Sequence, residues 1–280
     1  MTDLAQPEPG LRNWMLTLAY DGTDFRGWQV QPGETTIQGE LQAALDRITG
    51  ETPLPQGSGR TDAGVHALAQ VASFALQAPI PAGSLHRALN RTLPPAIRIL
   101  DARTVPGTFH ARHSAMAKTY EYRVFLANPE CERICPPFLT RYVYACPWAM
   151  DVTALDSAAR YFIGEHDFLS FAATDPDLAT RSREPNAPSL LQSETSTVRT
   201  IHSSAWESRP GEAGDLLVYR IRGKGFLHHM VRNLVGTMLD VGRGQLRAED
   251  IPAILAAHSR LAAGPTAPAR GLFLHSVEYE

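Results

Sequence analysis

Lysine is almost absent from this sequence: of 26 Lys and Arg residues, only Lys118 and Lys224 are lysines. The cationic character is carried by arginine, a compositional bias that leaves phosphate binding open. Cysteine is scarce as well. Cys131, Cys135 and Cys146 cannot all pair within one chain, and their spacing matches no zinc signature. They read as buried or incidental thiols of a reducing cytosol, which excludes a disulfide scaffold. No apolar run approaches the roughly 20 residues that span a bilayer, so no membrane association is expected. The opening MTDLAQPEPG lacks a basic region followed by an apolar stretch, so residues 1–10 read as a flexible polar leader rather than a signal peptide.

What is present fits a folded protein. A length of 280 residues with 44% hydrophobic and 20% charged residues favours two modest domains. The net charge of −3 conceals an uneven distribution. Residues 85–123 hold seven Lys/Arg against two acids, and 216–247 hold six against one. Such stretches give either a nucleic-acid footprint or arginines spread over solvated faces, and charge alone leaves both readings open.

Hydrophobic spacing organises the chain into two halves. Residues 12–20 read as a strand and 37–49 as a helix with Ile37, Leu41, Ala44, Leu45 and Ile48 on one face. Strands over 52–56 and 67–76, a helix over 83–92 and a strand over 96–104 complete a β-α-β-β-α-β order. The second half repeats it: a strand at 117–126, a helix at 151–163, strands at 197–206 and 215–222, a helix at 226–240, a short helix at 248–258 and a closing strand at 271–279. Two such halves predict an α+β protein of two ferredoxin-like, RRM-like units with antiparallel sheets, and a catalytic cleft between them. The expected division is 11–110 and 111–280, with the boundary near 106–114. Residues 175–196, polar and carrying three prolines, read as a long loop.

One segment carries chemistry. In GRTDAGVH (59–66), Gly59 and Gly64 allow tight backbone geometry, Asp62 supplies a carboxylate and Arg60 a cation that favours its ionised form. This suits a nucleophile or base; the competing reading is an aspartate capping its own turn. Tyr120 and Tyr122, two apart on a strand, share a face: one ring could stack on a base, or both could be core. His228 and His229 fall within the expected helix, about 100° apart, and no HExxH or Cys-rich partner accompanies them. No metal site is expected. Arg232 lies at the border of that helix's apolar stripe, placed either to snorkel to solvent or to reach a carboxylate.

Taken in order, YDGTDFRGWQVQP, GRTDAGVHALAQVASF, ALNRTLPPAIRI, FHARHSAMAKTYEYRV, GEHDFLSF, KGFLHHMVRNLVGTMLDVGRG and ARGLFLHSVEY resemble the tRNA pseudouridine synthase A family through nearly the whole chain. The resemblance implies a cytoplasmic, cofactor-free homodimer that converts uridine to pseudouridine at positions 38, 39 and 40 of the tRNA anticodon stem-loop. Carried over by motif, Asp62 matches the nucleophile. Tyr120 matches a tyrosine that stacks on the target base and is a candidate to assist proton removal. Arg232 matches the basic residue that pairs with the nucleophile, Arg60 an arginine that holds the flipped nucleotide, and Leu272 an apolar residue of the pocket. Residues 184–196 stand outside the family pattern as an insertion.

That reaction breaks the glycosidic bond, turns the uracil and joins C5 to C1′. One carboxylate attacking C1′ of the ribose or C6 of the base can hold the intermediate while the ring turns. The target must first leave its helix, at a cost of a few kcal/mol. Two other classes are weighed against it: a non-catalytic RNA-binding module of two RRM-like units, and a metal-dependent hydrolase using Asp62, His66 and the histidine pair.

Overall fold

The computed structural model describes residues 10–126, 134–173, 196–210 and 214–280. Residues 1–9, Cys131 and nearly all of the proposed loop and insertion at 175–196 lie outside the described residues. By internal contacts the chain forms two compact units, Met1–Tyr120 with Ala269–Glu280, and Glu121–Pro268.

In the first unit, β1 (Arg12–Tyr20) lies between β3 (His66–Leu76) and β4 (Ile97–Val105), antiparallel to both. Flanked on both edges, it buries Trp14, Met15, Leu16, Leu18 and Tyr20. Helix α1 (Ile37–Thr49) has the predicted bounds, and its ends explain them. The Thr36 hydroxyl accepts the Gly39 N–H at its start, and Gly50 adopts the left-handed conformation (φ 73°) at its end. Helix α2 (Ala82–Thr92) buries Leu85 and Leu89.

The expected strand at 52–56 is reduced to β2 (Gln56–Gly57), because Pro53 and Pro55 have no N–H to give a ladder. β2 covers β3 only at Ala72 and Ser73. The edge of β3 near His66 is taken instead by β10 (Leu272–Glu278), which runs parallel to β3 with Phe273 opposite His66. The closing strand, expected within 111–280, therefore belongs with the first unit, as does chain up to Tyr120. β5 (Ala117–Leu126) passes from one unit to the other along its own length.

In the second unit the rest of β5 carries β6 (Tyr144–Cys146) as a parallel neighbour. The strands β7 (Gly164–Asp167), β8 (Val198–Arg209) and β9 (Leu216–Gly223) pair antiparallel in turn. β6 and β7 are too short to show a period, and the sequence did not signal them. Helices α3 (Val152–Arg160), α4 (Met230–Gly242) and α5 (Ile251–Ala256) complete the unit.

The helix expected at 226–240 requires a correction. It begins at Met230, because His229 takes a left-handed backbone (φ 58°) that cannot continue a right-handed helix. Residues 226–229 are thus outside it, and the His228 and His229 rings lie against each other with centroids 4.0 Å apart. Helix α4 is otherwise buried on nearly every side, Asn233 and Thr237 included.

The arginine-rich segments are partly self-neutralised. Glu121, 1% exposed, accepts from Arg123 at 2.7 Å and from Arg220 at 2.9 Å. Burial opposes its ionisation, but these bonds outweigh it and hold the carboxyl below its ordinary value of 4.5. Its stabilising contribution is therefore complete above that value and lost as pH falls through the lower folded-state value. Glu121→Gln should cost about 1.5–3 kcal/mol at neutral pH. Urea titrations at pH 7 and below pH 4 should show that deficit shrinking in acid; an equal deficit at both would rule out the charge as its origin.

The described strands and helices give a mixed α+β fold whose strand pairs are mostly antiparallel. Among the described residues, no helix is long and apolar enough to cross a membrane.

Candidate active site

The segment holding Asp62 is the connection from β2 to β3, and its backbone is fixed at nearly every step. Ser58 N donates to Val71 O at 2.7 Å, and Trp28 N donates to Thr61 O at 3.0 Å. The Thr61 hydroxyl meets the buried Tyr20 hydroxyl at 2.8 Å. Val65 N closes a turn onto Asp62 O at 3.1 Å, and Gly64 N reaches Phe25 O at 3.3 Å. Tight turn geometry was expected from the glycines inside the motif, but two outside it matter as much. A Cβ on Gly22 would sit 2.0 Å from Val65 O, and one on Gly27 (φ 88°) would sit 2.6 Å from Thr61 O. The chain following β1 can approach the loop this closely only without side chains.

His66 is a strut of this arrangement. Its Nδ1 accepts the Gly22 N–H at 3.1 Å and lies 3.2 Å from Asp21 Oδ1. Its Nε2 is 3.2 Å from Arg270 O, and the ring stacks on Phe273 at 4.7 Å. An Nε2–H tautomer satisfies both backbone contacts. With both ring nitrogens engaged, His66 holds the end of the loop rather than offering a ligand atom to a metal.

Asp62 is half-buried on the loop and Arg60 is exposed on it. Tyr120, 7% exposed, comes from β5. Its hydroxyl and the Lys118 ammonium both lie within 4 Å of the space a side chain on Gly59 would take. Burial, then the neighbouring Tyr20 and Asp62, push the Tyr120 phenol well above its ordinary range. Tyr20 is pushed up to about 12 by burial, against hydrogen bonds with Thr61 and Gln70. Both phenols, protonated at neutral pH even at the ordinary value of 10.0, are harder still to ionise here. Leu272 is buried at the start of β10, where that strand meets His66. Asp62, Arg60, Tyr120 and Leu272 thus share the first unit.

Arg232 belongs to the second unit. It is half-buried on α4, its Nε donating to Ala267 O at 2.8 Å while Ala267 N donates to Arg232 O at 3.0 Å. The pair fixes its stem near the helix. Tyr122 is a core residue, its hydroxyl donating to Pro268 O at 2.8 Å.

A depression of about 430 Å³ opens beside the Asp62 loop, lined by Thr23, Asp24, Phe25, Arg26, Ala63 and Gly64. It brings together the segment after β1 and the far side of the motif. Sequence reasoning missed Tyr20, Gln70 and Lys118. The one available signal was polarity: Gln70 interrupts the apolar run of β3, and a buried amide must be satisfied by something nearby.

Comparison with known proteins places this geometry in context. A family model described as tRNA pseudouridine synthase matches residues 17–114 and 158–280. A tRNA pseudouridine synthase A from Solibacter usitatus is 49% identical over 270 residues, covering 96% of this chain and all of the relative. One from Moorella thermoacetica is 43% identical, covering 94% of this chain and 98% of the relative. One from Maridesulfovibrio salexigens is 42% identical, covering 94% and 89%. With full-length similarity at this level, and with the motif that holds Asp62 within the matched residues, the chain belongs to the tRNA pseudouridine synthase A family.

Proposed function

We propose that the protein isomerises uridine to pseudouridine in tRNA, at positions 38, 39 and 40 of the anticodon stem-loop, with Asp62 as the nucleophile. The observation that carries the reading is the Asp62 loop: a carboxylate on a segment whose backbone is held from β3 and from the chain between β1 and β3. Family membership supplies the reaction class, and the loop supplies a reason for one carboxylate to be presented so firmly.

The reaction balances within one nucleotide. The N1–C1′ bond breaks, C5 bonds to C1′, the C5 proton leaves and N1 gains one, so no electron donor or acceptor is required. Asp62 attacks C1′ or C6 and retains the fragment while the ring turns. Because the Tyr120 phenol is held protonated, it serves better as an apolar ring and hydroxyl donor beside the flipped uracil than as the base. Stacking of this kind is worth about 1–3 kcal/mol per base. Asp62 is then the better candidate to take the C5 proton. Arg60 and Arg232 act as substrate-binding cations, and Leu272 closes the apolar side of the pocket. We read each unit as ferredoxin-like, with β2 and β3 of the first framing the catalytic loop. The working form is a cytoplasmic homodimer without cofactor.

The direct test is to treat unmodified tRNA transcripts with the purified protein and map pseudouridine by sequence position. Product at 38–40 and nowhere else is expected. Binding without product would favour a non-catalytic RNA-binding module, and product elsewhere would refute the positional assignment.

A further inference from the structure

We infer that Gln70 is a positioning residue for Asp62, and that its side-chain amide sets the path of the catalytic loop from beneath. The inference rests on the reading of Asp62 as nucleophile.

Gln70 lies on β3, eight residues beyond Asp62, and is completely buried. Its Oε1 accepts the Ser58 hydroxyl at 2.6 Å and the Val71 N–H at 3.1 Å. Its Nε2 donates to Gly59 O at 2.8 Å. One side chain is therefore joined to both residues at the loop's entry. Separately, the Tyr20 hydroxyl meets the Thr61 hydroxyl at 2.8 Å and so holds the residue before Asp62. Lys118 adds a further bond by donating to Ser58 O.

The location explains why an amide is needed. The last backbone bond from this chain to β3 is Ser58 N to Val71 O, so beyond it the chain loses strand pairing just where it must turn toward Asp62. The Gly59 carbonyl no longer has a ladder partner, and the Gln70 amide supplies one. Only a side chain that both donates and accepts can serve Gly59 O, Ser58 Oγ and Val71 N together. A buried group of this kind tolerates no partial satisfaction, so its removal should displace the loop rather than merely loosen it.

Misplacement of a reacting group by about 1 Å costs on the order of 100-fold in rate. Gln70→Met, similar in length but without the amide, should lower kcat by about that factor. KM and tRNA affinity should stay within about threefold, because Gln70 is buried and touches no substrate. Gln70→Glu provides the second readout. Its ionised carboxylate cannot donate to Gly59 O, whereas the protonated acid can, so its kcat relative to wild type should rise as pH falls.

The experiment measures kcat, KM and thermal midpoint for the wild type and both variants across pH 5.5–8. A folded Gln70→Met with wild-type kcat overturns the inference. So does a Gln70→Glu to wild-type ratio that is flat with pH, which decides the matter even if Gln70→Met fails to fold. A wild type that makes no pseudouridine overturns the reaction reading instead, and the inference falls with it.

Discussion

Asp62→Asn should eliminate pseudouridine formation, lowering tritium release from 5-tritiated uridine in tRNA by at least about 10³-fold, since an amide is a poor substitute for a carboxylate nucleophile. The folded protein should survive the change. The bonds that shape the loop include those of Thr61 O, Asp62 O, Gly64 N and Val65 N and those of the Tyr20 and Gln70 side chains, all of which the substitution retains, and the Asp62 side chain is only half-buried. tRNA affinity should accordingly stay within a few-fold and the thermal midpoint within a few degrees. Release within tenfold of wild type would remove Asp62 from its role. A large loss of affinity would instead make it a binding residue.

Gly236→Ala should destabilise the second unit strongly, against the sign that helix propensity gives. In the middle of α4, alanine is intrinsically favoured over glycine by about 1 kcal/mol. A Cβ at Gly236, however, would lie 1.6 Å from Pro265 O and 2.8 Å from Pro265 C. That is backbone, with no flexible end to swing aside. The approach is close from both sides, since a Cβ on Gly264 would lie 2.8 Å from the Thr237 Cα. Overpacking of a buried site costs about 1–3 kcal/mol and occasionally more. A clash with main chain belongs at the upper end. A net loss of about 3 kcal/mol would lower the thermal midpoint by roughly 6–12 °C in a chain of this size. A calorimetric scan showing an unchanged or higher midpoint would contradict the packing described for α4. The displaced segment includes Ala267, which is bonded twice to Arg232. The variant should therefore also lose activity below its melting transition.

The two variants probe features of different legibility. Asp62 stands in a motif long enough to be recognised without coordinates. Helix α1 could be delimited to the residue because its cap, its apolar face and its terminal glycine are local signals that agree. The start of α4 could not. Its apolar spacing extends back to Leu227, and nothing local marks His229 as the residue whose backbone turns left-handed. The brevity of β2 was foreshadowed by Pro53 and Pro55, but which strand would fill the vacated edge of β3 was not.

By itself, then, the sequence determined the mixed α+β class and the family, and it singled out the segment and the carboxylate proposed to carry the chemistry. These depend on residue type, order and local period, all of which are written along the chain. Only the tertiary structure decided that β10 joins the first unit, that His66 is a strut, that burial raises the Tyr120 phenol further, and that the Gln70 amide meets Ser58 and Gly59. Each of these depends on partners distant in sequence, 204 residues apart for His66 and Arg270. Such contacts are set by burial and by the requirement that every buried polar group find a partner, which no local pattern records.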